Sequence, residues 1–489
     1  MNNRGGTLPR WARAADYVSL ILVLVAVTVA ATGGFRVLVG RWHVALTSPY
    51  RVLAWAIAVT TIRHLAARQQ PVYRHLTSQL AAWYRATPFR AASAVVLGTR
   101  PAIFFVGYLS IFLVGWGKGA PPYRDFDNEL FNLPLRWDAG WYLQIAIHGY
   151  TYVHRVGAAE QQNIVFFPAF PVAVRVVSLL LGGNRAAFFI GATLVSLGAF
   201  LGALVYLYLL ARRDLDDDTA YTALWLLAAY PFAVFFGAIY TESLFLLGAA
   251  GAFYHFRRAE WWRAGVWGAL VGLTRPNGFL LAVPLAILAF SPRLSSIIVR
   301  GRTKRVAAAD VRPTATDRTE HLLPLQKALL VAAMPVVGML IYSTFIWRLA
   351  GNPFAWLAGH AAWGRHYSGL TAIVSDRYNY IANEGLYGYV SQVPLDLLNA
   401  IGVIFVLAAA WPVARRLGLA YAVFILINIL PPIAEGGLMS AGRFSSVLFP
   451  AFIWLASAVP LHHRGGWIAT FAALQALNAT LFYTWRQLF

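Results

Sequence analysis

Apolar runs of nearly membrane-spanning length recur along the whole chain, and no other feature constrains its fold as much. Residues 17–33, 186–211, 326–347, 396–414 and 466–483 are almost free of charge. About 20 apolar residues cross the hydrocarbon core of a bilayer. That core offers no water to backbone N–H and C=O groups, so such runs predict helices. The alternating pattern of a membrane barrel is absent. Composition agrees: 59% of residues are hydrophobic and 12% are charged, against about one quarter charged in a soluble domain. The fold class expected is therefore an all-α polytopic membrane protein.

The net charge of +21 superficially suggests a nucleic-acid binder. Its distribution argues otherwise. Lys118, Lys304 and Lys327 are the only lysines, and the arginines cluster in short segments between apolar runs. That is the positive-inside pattern, with attraction to anionic lipid heads added, and no nucleic-acid partner is expected. There is no cysteine, which excludes disulfides and Cys-ligated metals. The first apolar run lacks a clear small-residue cleavage site and reads as a retained helix. Counting runs gives about 11–13 crossings, in four parts: an N-terminal helix pair with a basic loop (1–96), a membrane module (97–290), a basic cytoplasmic loop (291–324) and a C-terminal membrane module (325–489). Two long loops, 118–165 and 350–395, fall on the opposite side from the arginine-rich segments and are richer than the rest of the chain in carboxylates, histidines and aromatics. Segment 166–183 carries Pro168, Pro171 and Arg175 and reads as interfacial or re-entrant, and Pro276 and Gly278 break the run 264–290 in two.

Chemistry is expected on that outer face. In RWDAGWYLQIAIHGY, residues 136–150, Asp138 and Tyr142 share a helical face, and Trp137 and Trp141 share the next. An aspartate ringed by aromatics at a membrane face is partly shielded from water, and aromatic faces suit sugar rings. An interfacial aromatic belt with a capping Asp is the competing reading. Asp125, Asp127 and Glu129 lie close by without such a frame. Glu242, at a helix start, is either a favourable charge on the helix dipole or a ligand for sugar hydroxyls. Arg275 stands between two short helices, where ionisable residues are functional candidates, and its planar fork matches phosphate oxygens; Asn277 is placed to orient it. Arg443 pairs with Glu435 or makes a second phosphate contact. His148, His154, His360 and His366 show no metal-site spacing, and no metal or other cofactor is expected.

The same stretches carry a resemblance. RWDAGWYLQIAIHGY followed by FFPAFP, then YTESLFLLGAAGAFY, ALVGLTRPNG and AGRFSSVLFPAFIWLA resemble, in order, the family of GPI mannosyltransferase subunit V (PIG-V) and its bacterial relatives. These are multi-pass membrane glycosyltransferases of the GT-C class. GNPFAWLAGHAAWGRHY is similar to a bacterial version of the family's later outer loop. The matches run from about residue 130 to 460 and leave the first hundred residues uncovered. The resemblance implies a GT-C-like helical bundle in a bacterial cell membrane. It also implies transfer of mannose from polyprenyl phosphate mannose to a hydroxyl of a glycolipid, glycan or protein, with an accessory membrane subunit allowed. By the same resemblance Asp138 is the catalytic carboxylate; with that activity, Trp137, Trp141, Tyr142, His148 and Glu242 are read as shaping the sugar site. Arg275, Asn277 and Arg443 would hold the donor phosphate. The alternatives are a transferase using another lipid-linked sugar and a transporter or flippase of a lipid-linked substrate. The broken helix at TRPNG fits a transporter, but no second half repeats it.

Overall fold

Helices make up most of the described residues. The computed structural model describes residues 9–32, 35–39, 42–68, 72–73, 87–117, 124–153, 161–290 and 325–486. The basic segment 291–324 lies outside them. Among the described residues, five helices are long and apolar enough to cross a membrane: Thr87–Leu113, Arg185–Ala211, Leu325–Ala350, Pro394–Arg416 and Leu419–Gly436. The chain is an α-helical polytopic membrane protein. A small antiparallel hairpin, Phe35–Val39 with Trp42–Leu46, accompanies the helices.

The chain divides into two compact units, residues 1–90 with 172–195, and residues 91–171 with 196–489. In the first, α1 (Arg10–Thr32) packs on α2 (Pro49–Ala66). A buried ion pair joins them, Arg63 Nε to Asp16 Oδ1 at 2.7 Å.

The second unit holds the motifs around Asp138, Glu242, Arg275 and Arg443. The apolar run 219–237 does not form one helix: a helix covers Asp217–Ala229 and a single 3₁₀ turn covers Ala233–Gly237. The cause is Pro231, which disfavours helical geometry at Tyr230 and has no N–H of its own. The break is buried, so its carbonyls need donors from side chains. Arg100 supplies two, to Ala228 O and Ala233 O at 2.6 Å each. Gln475 also donates to Ala228 O, and Asn478 donates to Pro231 O.

The break expected at TRPNG is present. A helix over Trp261–Gly272 ends there, and a second, Pro276–Phe290, opens as a 3₁₀ turn. The first of these crosses Leu325–Ala350 at backbone distance. A Cβ on Gly272 would lie 1.9 Å from Pro335 O, and one on Gly338 would lie 2.1 Å from Ala269 O. Small residues at such a crossing are how membrane helices approach closely. Gly338→Val should therefore push the helices apart. We expect a loss of at least about 1–3 kcal/mol, read as a lower thermal midpoint of the purified protein. An unchanged midpoint would show that the crossing can open freely.

Segment 350–395, expected to be a long loop, is largely helical. A short turn covers Ala355–Trp363, and a helix covers Gly369–Gln392 with a kink at Gly385. Arg377 and Tyr389 hold that helix to Asp396. Segment 166–183 contains a helix over Ala169–Leu180. Twelve residues rise about 18 Å, too short for a span.

Candidate active site

The RWD stretch is fixed from three sides. Arg136 is buried, donates to the carbonyls of Asn132, Leu135 and Tyr483, and lies between the rings of Trp116 and Trp485. Trp137 takes a left-handed backbone conformation, φ +55°, uncommon for a bulky residue. The Tyr240 hydroxyl pins the residues on either side of it: it accepts from Asp138 N–H at 3.1 Å and donates to Arg136 O at 3.2 Å. The chain therefore turns sharply, and Asp138 enters the helix Ala139–His148 from its N-cap position without a side-chain cap bond.

The Asp138 carboxylate is instead directed to Arg443, whose Nη1 donates to Oδ2 at 2.8 Å. Arg443 Nε lies 3.0 Å from Glu242 Oε1. The same Glu242 oxygen pairs with Arg275, and Arg275 Nε donates to Thr241 Oγ1 at 3.0 Å. Four sequence motifs, distant in the chain, thus meet in one alternating row of charges: Asp138, Arg443, Glu242, Arg275. The row is formally neutral. Glu242 is fully buried, so two guanidiniums compensate it.

Above this row opens a cavity of about 570 Å³. Asp138, Tyr142, Thr241, Arg275, Arg365, Glu435 and Arg443 are polar residues of its lining, and Phe279, Leu280, Met339, Phe354, Trp356 and Leu357 give it an apolar wall. Helix Leu325–Ala350 ties that wall to segment 118–165, because the Tyr342 hydroxyl donates to Ile164 O at 2.7 Å. Trp356 Nε1 donates to Ser343 Oγ.

Other expected site residues fall elsewhere. Trp137 packs on Trp485, ring centroids 5.1 Å apart, and is not part of the lining. Trp141 stands behind the lining, stacked on Phe166 and edge-on to Trp363. His148 is exposed at the far end of its helix. Glu242 does not line the cavity, so it braces arginines where a sugar ligand was expected. Asn277 lines the cavity but donates to Asn428 Oδ1 at 2.9 Å, not to Arg275. Arg443 reaches Asp138 and Glu242, while the nearby Glu435 lies 4.0 Å from His360 Nδ1. Glu129 is engaged by Arg124 and Arg136, and Asp125, Asp127 and Glu129 are not in the lining. His154 lies outside the described residues.

Tyr240, Thr241 and Arg365 were missed in the sequence. Tyr240 and Thr241 directly precede Glu242, and their side chains work through geometry that spacing does not show. Arg365 had a legible signal, a lone cation between Trp356, Trp363 and Tyr367. His360, also in the lining, is held well below the usual histidine range, at about 4, by burial and then by Arg365. It is neutral at physiological pH.

Comparison with known proteins places these motifs. The family described as Mannosyltransferase (PIG-V) matches residues 124–307. Rat GPI alpha-1,6-mannosyltransferase 2 (Rattus norvegicus) is 32% identical over 152 residues, 30% of this chain and 29% of the relative. The human protein of the same name (Homo sapiens) is 33% identical over 152 residues, 29% of each chain. The match thus spans less than a third of these relatives' own length. A crystal structure of the Archaeoglobus fulgidus oligosaccharyltransferase aligns with 82% of this chain and 55% of that one, at 14% identity and a TM-score of 0.38. The segment that carries Asp138, Glu242 and Arg275 is, over residues 124–307, PIG-V-like.

Proposed function

We propose that the protein is a membrane mannosyltransferase that moves mannose from polyprenyl phosphate mannose to an acceptor hydroxyl of a glycolipid, glycan or protein. The observation that carries this reading is the lining of one cavity, which combines three guanidiniums and two carboxylates, Asp138 and Glu435, with an apolar wall. A lipid phosphate sugar has the matching shape: a polyprenyl tail, an anionic phosphoryl group and a polar ring. The match of residues 124–307 to a mannosyltransferase family supports the choice of sugar.

In this reading Asp138 is the general base. The acceptor oxygen attacks the anomeric carbon from the face opposite the phosphate. Asp138 takes the hydroxyl proton, and the bond to the phosphate oxygen breaks. Polyprenyl phosphate departs as a stabilised anion, so no paired acid is needed. One displacement at a β-linked donor inverts the centre and leaves an α-linkage. Arg443 aims the carboxylate, which is 21% exposed and lines the cavity, leaving it room to meet a hydroxyl. The lining draws on the segments around Asp138 and Arg365, and the arginine distribution supports a non-cytoplasmic position for them; a bacterial cell membrane is what the resemblance implies.

The test is transfer by the purified protein in vesicles containing polyprenyl phosphate mannose and a mixed acceptor pool. We expect mannosylated product from this donor and little from polyprenyl phosphate glucose. Preference for the glucosyl donor would keep the reaction class and change the sugar. Movement of the lipid across the vesicle without transfer would instead establish a transporter.

A further inference from the structure

Three guanidiniums line the cavity, and their electrostatic situations differ. Arg275 and Arg443 share Glu242, and Arg443 also holds Asp138. Arg365 has no carboxylate within 4.0 Å among the described residues. Among the described residues its guanidinium makes one hydrogen bond, a long one, from Nη2 to Met439 O at 3.5 Å. An arginine has five N–H donors in a rigid fork, so most of its capacity is unused.

The surroundings hold Arg365 in place without neutralising it. Its guanidinium lies over the Phe444 ring, 5.3 Å from the centroid. Gly436 leaves the space it occupies, since a Cβ there would meet Arg365 Nη1 at 2.6 Å. His360 beside it is neutral. Burial and then repulsion from Arg443 outweigh the attraction of Glu435 and Asp138 and lower the Arg365 pKa to about 10. A cation with that balance gains from an anion entering the cavity.

We propose that Arg365 is the phosphoryl-binding residue of this cavity, taking one or two oxygens of a lipid monophosphate whose chain lies along the wall of Phe279, Leu280, Met339 and Phe354. The proposal rests on the reading of the cavity as a lipid-phosphate site. It moves the main phosphate contact from Arg275, which is occupied, to Arg365. A fork-to-phosphate pair is the strong form of charge-assisted hydrogen bond.

The experiment measures binding without any sugar, so a failed transfer assay cannot be confused with a failed phosphate site. The full-length protein in detergent is titrated by calorimetry with polyprenyl phosphate, with the neutral polyprenol and with inorganic phosphate. Wild type should bind polyprenyl phosphate at least about tenfold more tightly than polyprenol. Arg365→Ala should lose about ten- to a hundredfold of affinity for the phosphate lipid and keep its affinity for polyprenol, which also reports that the variant is folded. Arg365→Lys should recover part of the loss, as a point charge without the fork. Equal wild-type binding of phosphate lipid and polyprenol would overturn the proposal, and so would unchanged phosphate-lipid binding by Arg365→Ala. Displacement of the lipid by inorganic phosphate at similar concentrations would overturn its lipid part and identify a free-phosphate site.

Discussion

Asp138→Asn is expected to reduce mannosyl transfer by more than about a hundredfold, the usual size of a general-base contribution, with little change in donor binding or thermal midpoint. The substitution suits the site. The amide oxygen can still accept from Arg443 Nη1, now 2.8 Å from the carboxylate, and Tyr240 holds the backbone N–H in either case. What is removed is the ability to take a proton. Asp125, Asp127 and Glu129 are poor substitutes, because none lines the cavity and Glu129 already pairs with Arg124 and Arg136. Transfer that persists in a folded Asp138→Asn protein would shift attention to Glu435, the other carboxylate in the lining. Single-turnover assays with saturating donor, alongside calorimetric donor binding, separate the two outcomes.

How much of this was legible in the sequence depends on the range of the interaction. Helices and their breaks were readable because they follow from local rules: apolar length, the missing N–H of Pro276, an extended Gly-containing turn. Pro231 obeys the same rule, yet the apolar run 219–237 masked it, since in a membrane helix hydrophobicity does not report continuity. The helix Gly369–Gln392 escaped for the opposite reason. Its mixture of polar and aromatic residues has no strong period, and two of its residues, Arg377 and Tyr389, are held by Asp396 from the next helix. At the site, each charged residue of the final row was a candidate, but its role was not readable. Arg443 has Glu435 eight positions away and bonds to Asp138, 305 positions away. Such partners are set by the fold, and one-dimensional spacing can only nominate the nearest carboxylate. The aromatic residues misled in the same way: Trp137 shares a motif with Asp138, but its left-handed backbone turns it to Trp485.

Glu242→Gln should be severely destabilising, by about 3–5 kcal/mol, because it breaks a buried charge arrangement from one side. Glu242 is fully buried and stands between Arg275 and Arg443. Without its charge, Arg443 keeps Asp138 as an anionic partner, but Arg275 keeps only neutral acceptors, the introduced amide oxygen and the Thr241 hydroxyl. A buried guanidinium with a neutral partner is the costly outcome, and it predicts its own remedy. Adding Arg275→Met removes the orphaned cation, so the double variant should regain a large part of the lost thermal midpoint. The two substitutions would then couple by about 1–3 kcal/mol, as residues in one charge network do. A sugar ligand would behave differently. If Glu242 served a hydroxyl of the donor, Glu242→Gln would raise the donor KM while leaving stability nearly intact, and Arg275→Met would worsen it. The thermal midpoints of the wild type, two single variants and the double variant decide between bracing and binding. Recovery in the double variant, with transfer still impaired, would mean that the row is needed both to keep the buried charges compensated and to hold Arg443 against Asp138.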